Sequence, residues 1–374
     1  MSRRAAPNLV REKPVRASAT GQERDVKDGG PQGRWSHTYA ALDLGTNNCR
    51  LLVAKPDNSG FHVVDAFSRI VRLGEGLGSS NALSHPAMDR TIDALRVCRS
   101  KIDRNGVTRI RAVATEACRR ADNGAEFVSR VRAETDIALE IIAPDEEAEL
   151  ALVGCSPLYD APSEAKSFAL LFDIGGGSTQ ITWLELEAGQ HANGDVETRI
   201  LGCISIPCGV VTLSEKFGSG EDAQGRSSPA RYAEICDHVR GLLAPFDDQY
   251  GISARVRDGA VQMVGTSGTV TTLTGVYLKL PRYDRGRVDG RELEFGQLEG
   301  ARDTLLALDR DDRAAHPCIG LQRADLVIAG CAILDAICDL WPVGRLRVAD
   351  RGLREGILHG LMRSADREST SARN

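Results

Sequence analysis

Residues 170–184 read LLFDIGGGSTQITWL, and this stretch decides the fold. An apolar run ends at Asp173, three consecutive glycines follow at residues 175–177, and a second apolar run begins at Ile181. Apolar runs of this length, bounded by glycine and small polar residues, are typical of two β-strands joined by a tight turn. The stretch therefore predicts a strand, a glycine turn and a strand, with one carboxylate at the end of the first strand.

A related stretch lies earlier in the chain, where residues 39–54 read YAALDLGTNNCRLLVA. Aligning Asp43 with Asp173 matches the apolar residues, a glycine, a turn of small polar residues and an apolar run that resumes at Leu51, as it does at Ile181. The offset of 130 residues is about the length of one domain. The sequence therefore predicts an internal duplication, with a ligand bound in the cleft between the two halves.

The two turns contain the residue types of a phosphate site. Glycines allow backbone N–H groups to converge on an anion at close range. Asp43 and Asp173, facing each other across a cleft, would repel unless a hard cation or bound waters lay between them, and Mg²⁺ with its retained waters fits this position. The alternative is a pair of β-hairpins with glycine turns and no ligand. The twin copies at this spacing favour the ligand site.

Length and composition indicate a globular protein of two domains. The chain has 374 residues, of which 42% are hydrophobic and 26% charged, and no apolar run reaches the roughly 18–20 residues that a membrane span needs. Residues 1–36 are basic, rich in glycine and proline, and lack the apolar segment of a signal peptide, so we expect a disordered tail. The tail carries about +4, which leaves about −9 on the rest and argues against general nucleic-acid binding.

The ten cysteines and seven histidines indicate neither disulfides nor a zinc site. The cysteines are scattered without a Cys-x-x-Cys pair in a large chain that has no secretory signal, so we expect free thiols in a reducing cytoplasm. The histidines lack HExxH or a similar ligand spacing.

Two segments are predicted to bring charged side chains to the ends of strands. Residues 109–121 read as a buried strand ending at Thr115 and a helix start that carries Arg119. Residues 139–153 read as a strand, Asp145 as the N-cap, and a helix whose first turn contains Glu146 and Glu147. Taken alone, the two glutamates are explained by favourable charge at a helix N-terminus, which contributes about 0.3–1 kcal/mol.

Further segments complete the predicted second half. Residues 261–276 read as a strand, a turn and a helix that begins near Thr269, which makes a second anion cradle at a helix N-terminus. An apolar helix and a final strand, turn and helix follow. The glycine-rich residues 72–80 and the arginine-rich residues 281–292 are candidates for lining the cleft, with solvated surface loops as the alternative.

Eight motifs in order resemble the exopolyphosphatase/guanosine pentaphosphatase (Ppx/GppA) phosphatases, a family of the actin/sugar-kinase/Hsp70 superfamily. They are DLGTNNCRLL, VRLGEGL, TEACRRA, PDEEAEL, DIGGGSTQ, VGTSGTVTTL, RADLVIAGCAILDA and DRGLREGIL. The resemblance implies an α/β protein of two ribonuclease-H-like (actin-like ATPase) domains flanking an interdomain cleft. We expect the first domain at residues 37–155, the second at 156–350, and a C-terminal helix at 351–374 that packs back on the first. The resemblance also implies a homodimer.

The resemblance implies roles at matching positions. Glu147 is the expected general base, and Arg119 the expected phosphate-binding arginine. The expected phosphate-binding residues of the two turns and of the GTSGT motif are Gly45, Thr46, Asn47, Asn48, Arg50, Gly175, Gly176, Gly177, Ser178, Gly268 and Thr269. We expect Mg²⁺ to be held by Asp43, Asp173 and Glu147, with Asp173 also part of the catalytic set; the sequence leaves open whether a monovalent cation such as K⁺ is required.

One position departs from the family pattern. The resemblance places Gln180 in the expected catalytic set, at the position where the family usually has a catalytically important glutamate, although an amide cannot carry that negative charge. We expect Mg²⁺-dependent release of orthophosphate from the end of inorganic polyphosphate, with guanosine pentaphosphate as the alternative substrate. A related kinase, or a non-catalytic sensor of polyphosphate or alarmone, remains a different class of function, and Gln180 is the support for the sensor.

Overall fold

The structure is a computed structural model that describes residues 33–58, 60–163, 167–188, 196–218, 221–222 and 225–371. The first domain carries one sheet and its helices. Its strands are β1 (Tyr39–Leu44), β2 (Asn48–Asp57), β3 (Gly60–Ile70), β4 (Arg109–Ala114) and β5 (Leu139–Ile141). Its helices are α1 (Leu77–Ser80), α2 (His85–Arg104), α3 (Glu116–Arg120), α4 (Gly124–Thr135) and α5 (Pro144–Cys155).

The second domain carries the second sheet. Its strands are β6 (Phe168–Ile174), β7 (Thr179–Ala188), β8 (Val196–Ile206), β9 (Val261–Ser267), β10 (Glu292–Glu294) and β11 (Arg345–Ala349). The helices in this part are α6 (Val210–Phe217), α7 (Pro229–Tyr250), α8 (Ile252–Arg257), α9 (Gly268–Tyr277), α10 (Arg285–Val288), α11 (Phe295–Ala307), α12 (Arg310–Ala315), α13 (Val327–Leu340) and α14 (Leu353–Ser371). Short 3-10 helices cover Gly33–Ser36 and Ser156–Leu158.

Both sheets repeat one topology. The first has the order β3-β2-β1-β4-β5, in which β1 pairs antiparallel with β2 and parallel with β4. The second has the order β10-β11-β9-β6-β7-β8, in which β6 pairs antiparallel with β7 and parallel with β9. An antiparallel meander followed by parallel strands is the ribonuclease-H-like arrangement, and it occurs twice. The predicted duplication and fold class are confirmed.

Central strands and edge strands differ as their positions require. Strand β1 lies in the middle of its sheet with helices on both faces, so nearly all of its side chains are buried and it reads as a continuous apolar run. Strand β3 lies at the edge, and most of its residues are exposed or half-buried. Both predicted carboxylates stand at the ends of central strands, because Asp43 is in β1 and Asp173 is in β6.

Two helices lie between the sheets and pack on the domain opposite to their place in the chain. Helix α5 follows the first sheet, yet Ala151 and Leu152 pack with strand residues of the second sheet. Helix α14 follows the second sheet, yet Ile357 and Leu358 pack with Tyr39 and other residues of the first sheet. The C-terminal helix therefore returns to the first domain. The domain boundaries at 155 and 350 stay predictions, since α5 packs on both sides.

Several local expectations can be compared with the structure. Most of the predicted tail lies outside the described residues, but residues 33–36 form a 3-10 helix, in which the guanidinium of Arg34 contacts Asp366 at 2.5 Å, so the expectation of disorder is wrong for these four residues. The N-cap of α5 is Ala143, with Pro144 in the first turn, so the assignment of Asp145 as N-cap is wrong. All ten cysteines are free thiols, as expected. No helix within the described ranges is both long and apolar enough to cross a bilayer.

Candidate active site

Two equivalent turns meet at the cleft between the domains: the first loop (residues 45–48) and the second loop (residues 175–178). In the first loop the Gly45 N–H donates to the Asn48 carbonyl at 2.9 Å; in the second, the Gly175 N–H donates to the Ser178 carbonyl at 2.9 Å. Asp43 pairs with Arg50 across β1 and β2, and Asp173 pairs with Gln180 across β6 and β7. The duplication therefore places each aspartate beside the start of its own loop.

The second loop is glycine-rich because it touches the first loop. A Cβ built on Gly177 would lie 2.6 Å from Thr46 Oγ1, and one built on Gly176 would lie 3.0 Å from the Cβ of Asn47. Neither glycine has a positive φ, so their backbone conformation does not require glycine. The missing side chains allow the two loops to close on each other. This close approach is the physical reason for the run of glycines.

The loops border a cleft of about 880 Å³. Most of the predicted site residues line it, and the structure thereby brings together residues from four separate motifs. The lining includes Asp43, Gly45, Thr46, Asn47, Asn48, Arg50, Glu147, Asp173, Gly175, Gly176, Gly177, Ser178, Gly268 and Thr269. Arg119 and Gln180 are not among the lining residues.

Arg119 lies behind the cleft and binds protein groups. Its Nη1 donates to the Ile142 carbonyl at 2.6 Å, and its Nη2 donates to Glu116 Oε2 at 2.8 Å. Both nitrogens also reach Glu147 Oε2 at 3.3 Å. In this arrangement Arg119 positions the expected general base. Its predicted role as a direct phosphate ligand does not match this geometry, because both of its Nη atoms are already engaged by protein groups and Arg119 does not line the cleft.

Gln180 is buried beneath the second loop. Gln180 lies in β7, and its side-chain amide Nε2 donates to Ser178 Oγ at 3.0 Å. A group in this position contacts the loop and not the cleft. The structure therefore does not place Gln180 among groups that reach a bound ligand, which differs from its predicted catalytic role.

Three half-buried carboxylates at the centre of the site resist ionisation. Burial raises the pKa of Glu147 from 4.5 to about 8, an effect that Arg119 opposes and that the charges of Asp173 and Asp43 reinforce. Burial raises the pKa of Asp173 to about 7, against the attraction of Arg50 and with the repulsion of Asp43. Burial likewise raises the pKa of Asp43. Perturbation of this kind is typical of functional sites.

The predicted three-carboxylate metal site is not present as a ligand group. Among the residues that the structure describes, no three His, Cys, Asp or Glu side chains are arranged to hold a metal ion. Glu147 contacts Arg119 instead. Asp43 and Asp173 still fit a largely hydrated Mg²⁺, because both are half-buried and have no hydrogen bond or ion pair of their side chains in the described part of the chain, and hard oxygen ligands are what Mg²⁺ prefers.

The first loop supplies further oxygen atoms that lack a partner. The side-chain Oδ1 atoms of Asn47 and Asn48 are buried and accept no hydrogen bond from the described residues. A buried acceptor without a donor costs about 1–3 kcal/mol, so a bound cation or ligand donor at this place would relieve the cost. This observation is consistent with the Mg²⁺ expectation and locates the unpaired oxygens on the first loop.

Three arginines lining the cleft have no partner. The side chains of Arg50, Arg323 and Arg354 form neither a hydrogen bond nor an ion pair with any described residue, although all three line the cleft. Burial lowers the pKa of Arg354 and of Arg323, an effect to which the neighbouring charge of Arg50 adds. Unpaired guanidinium groups in a partly enclosed cleft are suited to bidentate binding of phosphate oxygens.

Sequence reasoning missed Arg323 and Arg354. Both lie inside motifs that carry the family resemblance, RADLVIAG and DRGLREGIL, but those motifs were interpreted only as helices and a turn. The available signal was an arginine at the boundary of an otherwise apolar segment. Arg354 has the acidic neighbour Glu355, whose pKa is lowered because Arg354 and Arg285 outweigh the effect of burial.

The arginine-rich residues 281–292 reach the cleft, so the first of their two alternatives, lining the cleft or forming a solvated surface loop, is confirmed. Tyr283 and Arg285 line it. The Tyr283 hydroxyl donates to Asp350 Oδ2 at 2.6 Å, and Arg285 Nη2 donates to Glu355 Oε1 at 2.7 Å. These contacts attach the segment to the turn before α14. The glycine-rich residues 72–80 lie against the first loop, since the Gly74 N–H donates to the Thr46 carbonyl at 2.9 Å.

The start of α9 provides a second set of free N–H groups at the cleft. Ser267 caps the helix by accepting from the Val270 N–H at 3.0 Å, and Gly268 has open space where a side chain would stand. The helix begins at Gly268, one residue before the predicted start near Thr269. The N-terminus of α9 therefore lies where the anion cradle was predicted, because Gly268 and Thr269 line the same cleft as the two loops.

The chain is similar to known proteins over most of its length. The model of the Ppx/GppA phosphatase family matches residues 52–365. A guanosine-5′-triphosphate,3′-diphosphate pyrophosphatase of Aeromonas salmonicida is 31% identical over 327 residues, which cover 87% of this chain and 60% of the relative. A second one, from Aeromonas hydrophila, is 30% identical with the same coverage. The chain thus spans about 60% of the length of these curated relatives.

Solved structures show the same fold. The crystal structure of the Aquifex aeolicus member of the Ppx/GppA family is 26% identical with a TM-score of 0.67, covering 87% of this chain and 97% of that one. An exopolyphosphatase from Cytophaga hutchinsonii is 23% identical with a TM-score of 0.74, covering 87% of this chain and 98% of that one, a likeness of fold alone. The two-domain, actin-like architecture is therefore shared. From the family match over most of its length, the chain belongs to the Ppx/GppA phosphatase family.

Proposed function

We propose that the chain hydrolyses a terminal phosphoanhydride bond and releases orthophosphate. The observation that carries the proposal is the set of unpaired charges in one cleft. Arg50, Arg323 and Arg354 lack anionic partners among the described residues, and they line the same cleft as the unpartnered Asp43 and Asp173. An anionic substrate with several phosphates, together with a divalent cation, would satisfy both sets of charges at once.

The residues support an in-line transfer of a phosphoryl group to water. Backbone N–H groups of the two loops and the cleft arginines would hold the phosphate oxygens, which positions the substrate and stabilises charge in the transition state. Glu147, whose pKa is raised to about 8, would accept a proton from the attacking water. Mg²⁺ held near Asp43 and Asp173 would supply charge neutralisation on the phosphates.

Guanosine pentaphosphate is the substrate that the comparisons favour. The sequence interpretation placed inorganic polyphosphate first and guanosine pentaphosphate second. The Aeromonas relatives, at 30% identity or above, carry the name of guanosine pentaphosphate pyrophosphatases, which reverses that order. The structural neighbour named as an exopolyphosphatase is less than 25% identical and supports only the fold. Polyphosphate is therefore the second candidate.

The test measures orthophosphate release from guanosine pentaphosphate and from long-chain polyphosphate, with Mg²⁺, by the wild type and by Glu147→Gln. The matched control is Glu146→Gln, because Glu146 is the preceding residue of the same helical turn but pairs with Arg111 outside the cleft. We expect release by the wild type and the control, and a loss of about 10²–10⁴-fold in Glu147→Gln. Equal rates in all three proteins would refute the role of Glu147.

The same assay separates an enzyme from a sensor. Gln180→Glu restores the charge that the family usually has at this position. If the wild type binds guanosine pentaphosphate without turnover and Gln180→Glu releases phosphate, the chain is a sensor. The position of Gln180 beneath the second loop makes us expect a change of less than about tenfold, because the side chain contacts Ser178 and not the cleft. The predicted homodimer and cytoplasmic location stay predictions.

A further inference from the structure

Arg119 is held between two carboxylates, and the two contacts are unequal. Its Nη2 donates to Glu116 Oε2 at 2.8 Å, whereas Nη1 and Nη2 both reach Glu147 Oε2 only at 3.3 Å. The carbonyl of Ile142 fixes the other side of the guanidinium, at 2.6 Å from Nη1. The strong contacts of Arg119 are therefore with Glu116 and the backbone, and its contact with the expected general base is long and shared.

Glu116 also borders the second loop. It lines the cleft, and its Cγ lies 3.0 Å from where a Cβ on Gly177 would stand. The side chains of Glu116 and Arg119 are 17% and 20% exposed, so water competes weakly for the ion pair. No role in the proposed reaction has been assigned to this carboxylate, and the sequence analysis passed over it. Its place in α3 joins the second loop, Arg119 and Glu147 in one set of contacts.

We propose, on the basis of the hydrolytic function proposed above, that Glu116 is a positioning residue that holds Arg119 away from full pairing with Glu147. Without Glu116, the guanidinium would be free to turn toward the only other carboxylate within 4 Å of it in the described part of the chain, which is Glu147. A short bidentate ion pair would then hold the Glu147 carboxylate and compete with the attacking water for its oxygens. Glu116 keeps the Glu147 oxygens available.

The inference predicts a kinetic signature that a loss of stability would not produce. Glu116→Gln lowers kcat about tenfold and changes KM less than about twofold, because it alters the base and leaves the phosphate-binding groups in place. In an Arg119→Ala background the same substitution has no further effect on kcat, since no guanidinium remains to be redirected. The matched control is Glu140→Gln, which removes a carboxylate paired with Arg111 outside the cleft.

The outcomes separate this inference from the proposed function. Wild-type activity with an unchanged kcat in Glu116→Gln, or equal effects of that substitution with and without Arg119, would overturn the role of Glu116 and leave the hydrolase intact. An inactive wild type would overturn the hydrolase. A second readout then decides, which is the rate at which phenylglyoxal modifies Arg119, measured by mass spectrometry. We expect this rate to be at least about threefold lower in Glu116→Gln than in the wild type, because the guanidinium pairs more tightly with Glu147. An unchanged or faster rate would refute the inference.

Discussion

Replacing Glu147 by glutamine tests whether burial of the ionised Glu147 carboxylate lowers the free energy of unfolding. We expect Glu147→Gln to abolish hydrolysis and, in the same protein, to raise stability at alkaline pH. Loss of activity follows because an amide accepts no proton from water. The gain in stability follows because the folded protein must bury an ionised Glu147 beside Asp173 and Asp43, while a neutral amide of the same shape avoids that cost.

The magnitude follows from the pKa of Glu147. A folded-state value of about 8 against an ordinary 4.5 corresponds to about 5 kcal/mol, at roughly 1.36 kcal/mol per pH unit. The folded protein binds the proton more tightly than the unfolded chain, so the cost is absent below about pH 4.5 and complete above about pH 8. Stability of the wild type therefore falls as pH rises through this window, and the glutamine variant escapes the fall.

The assay is urea unfolding of wild type, Glu147→Gln and Glu146→Gln at pH 5, 7 and 9, with EDTA present so that no bound cation neutralises the carboxylates. We expect the midpoint of Glu147→Gln to exceed that of the wild type by an amount that grows with pH, to the equivalent of about 3–5 kcal/mol at pH 9. Glu146→Gln should follow the wild type, because the Glu146 side chain is 40% exposed and pairs with Arg111, away from the three central carboxylates. A constant difference between Glu147→Gln and wild type would refute the reasoning.

Four further predictions follow from the same contacts. In the wild type, kcat/KM should fall as pH falls below about 8, because only ionised Glu147 accepts a proton, and a profile flat from pH 6 to 9 would contradict this. Gly177→Ala should lower kcat/KM by about tenfold or more and lower Tm by a few degrees, since the added Cβ would stand 2.6 Å from a hydroxyl of the first loop and force the two loops apart; steady-state kinetics and thermal unfolding check it. Arg354→Gln should raise KM about tenfold or more, because Arg354 lines the cleft, while Arg291→Gln at an exposed position should leave KM unchanged. Mg²⁺ should raise the Tm of the wild type but not of Asp43→Asn, because the variant lacks one of the two expected carboxylate ligands.

The fold was predictable because its signal is local and repeated. Each strand, glycine turn and strand is encoded within about 15 consecutive residues, and the second copy at the same spacing identified the duplication. The residues of the two loops could be placed at the cleft for the same reason, since a glycine turn after an apolar strand is itself a local signal. The strand and helix bounds around Arg119, Glu147 and Thr269 were close to those observed, apart from the N-cap of α5.

Pairing between distant side chains was not predictable from such signals. Whether an arginine faces a substrate or another side chain depends on tertiary contacts, and Arg119 binds Glu116 and Glu147 while Arg323 and Arg354 remain unpaired in the cleft. All three are arginines at the boundary of an apolar segment, so the sequence alone does not distinguish an arginine that faces the cleft from one that binds other side chains. A carboxylate three residues before Arg119 was the available hint, because residues at this spacing are neighbours on a helix.

The positions of the unpaired charges in the cleft also explain why these charges do not pair with one another. Asp43 faces Arg50 in register across two strands, and Arg354 lies close enough to lower the pKa of Asp43, yet none of them forms an ion pair. Strand geometry fixes the first pair, and the start of α14 fixes Arg354. Since rigid elements hold these groups apart, their mutual attraction is left unsatisfied, and the proposed anionic substrate and cation would each gain from a charge that the protein does not neutralise itself. A flexible loop in place of either element would let the ion pair close and remove the site.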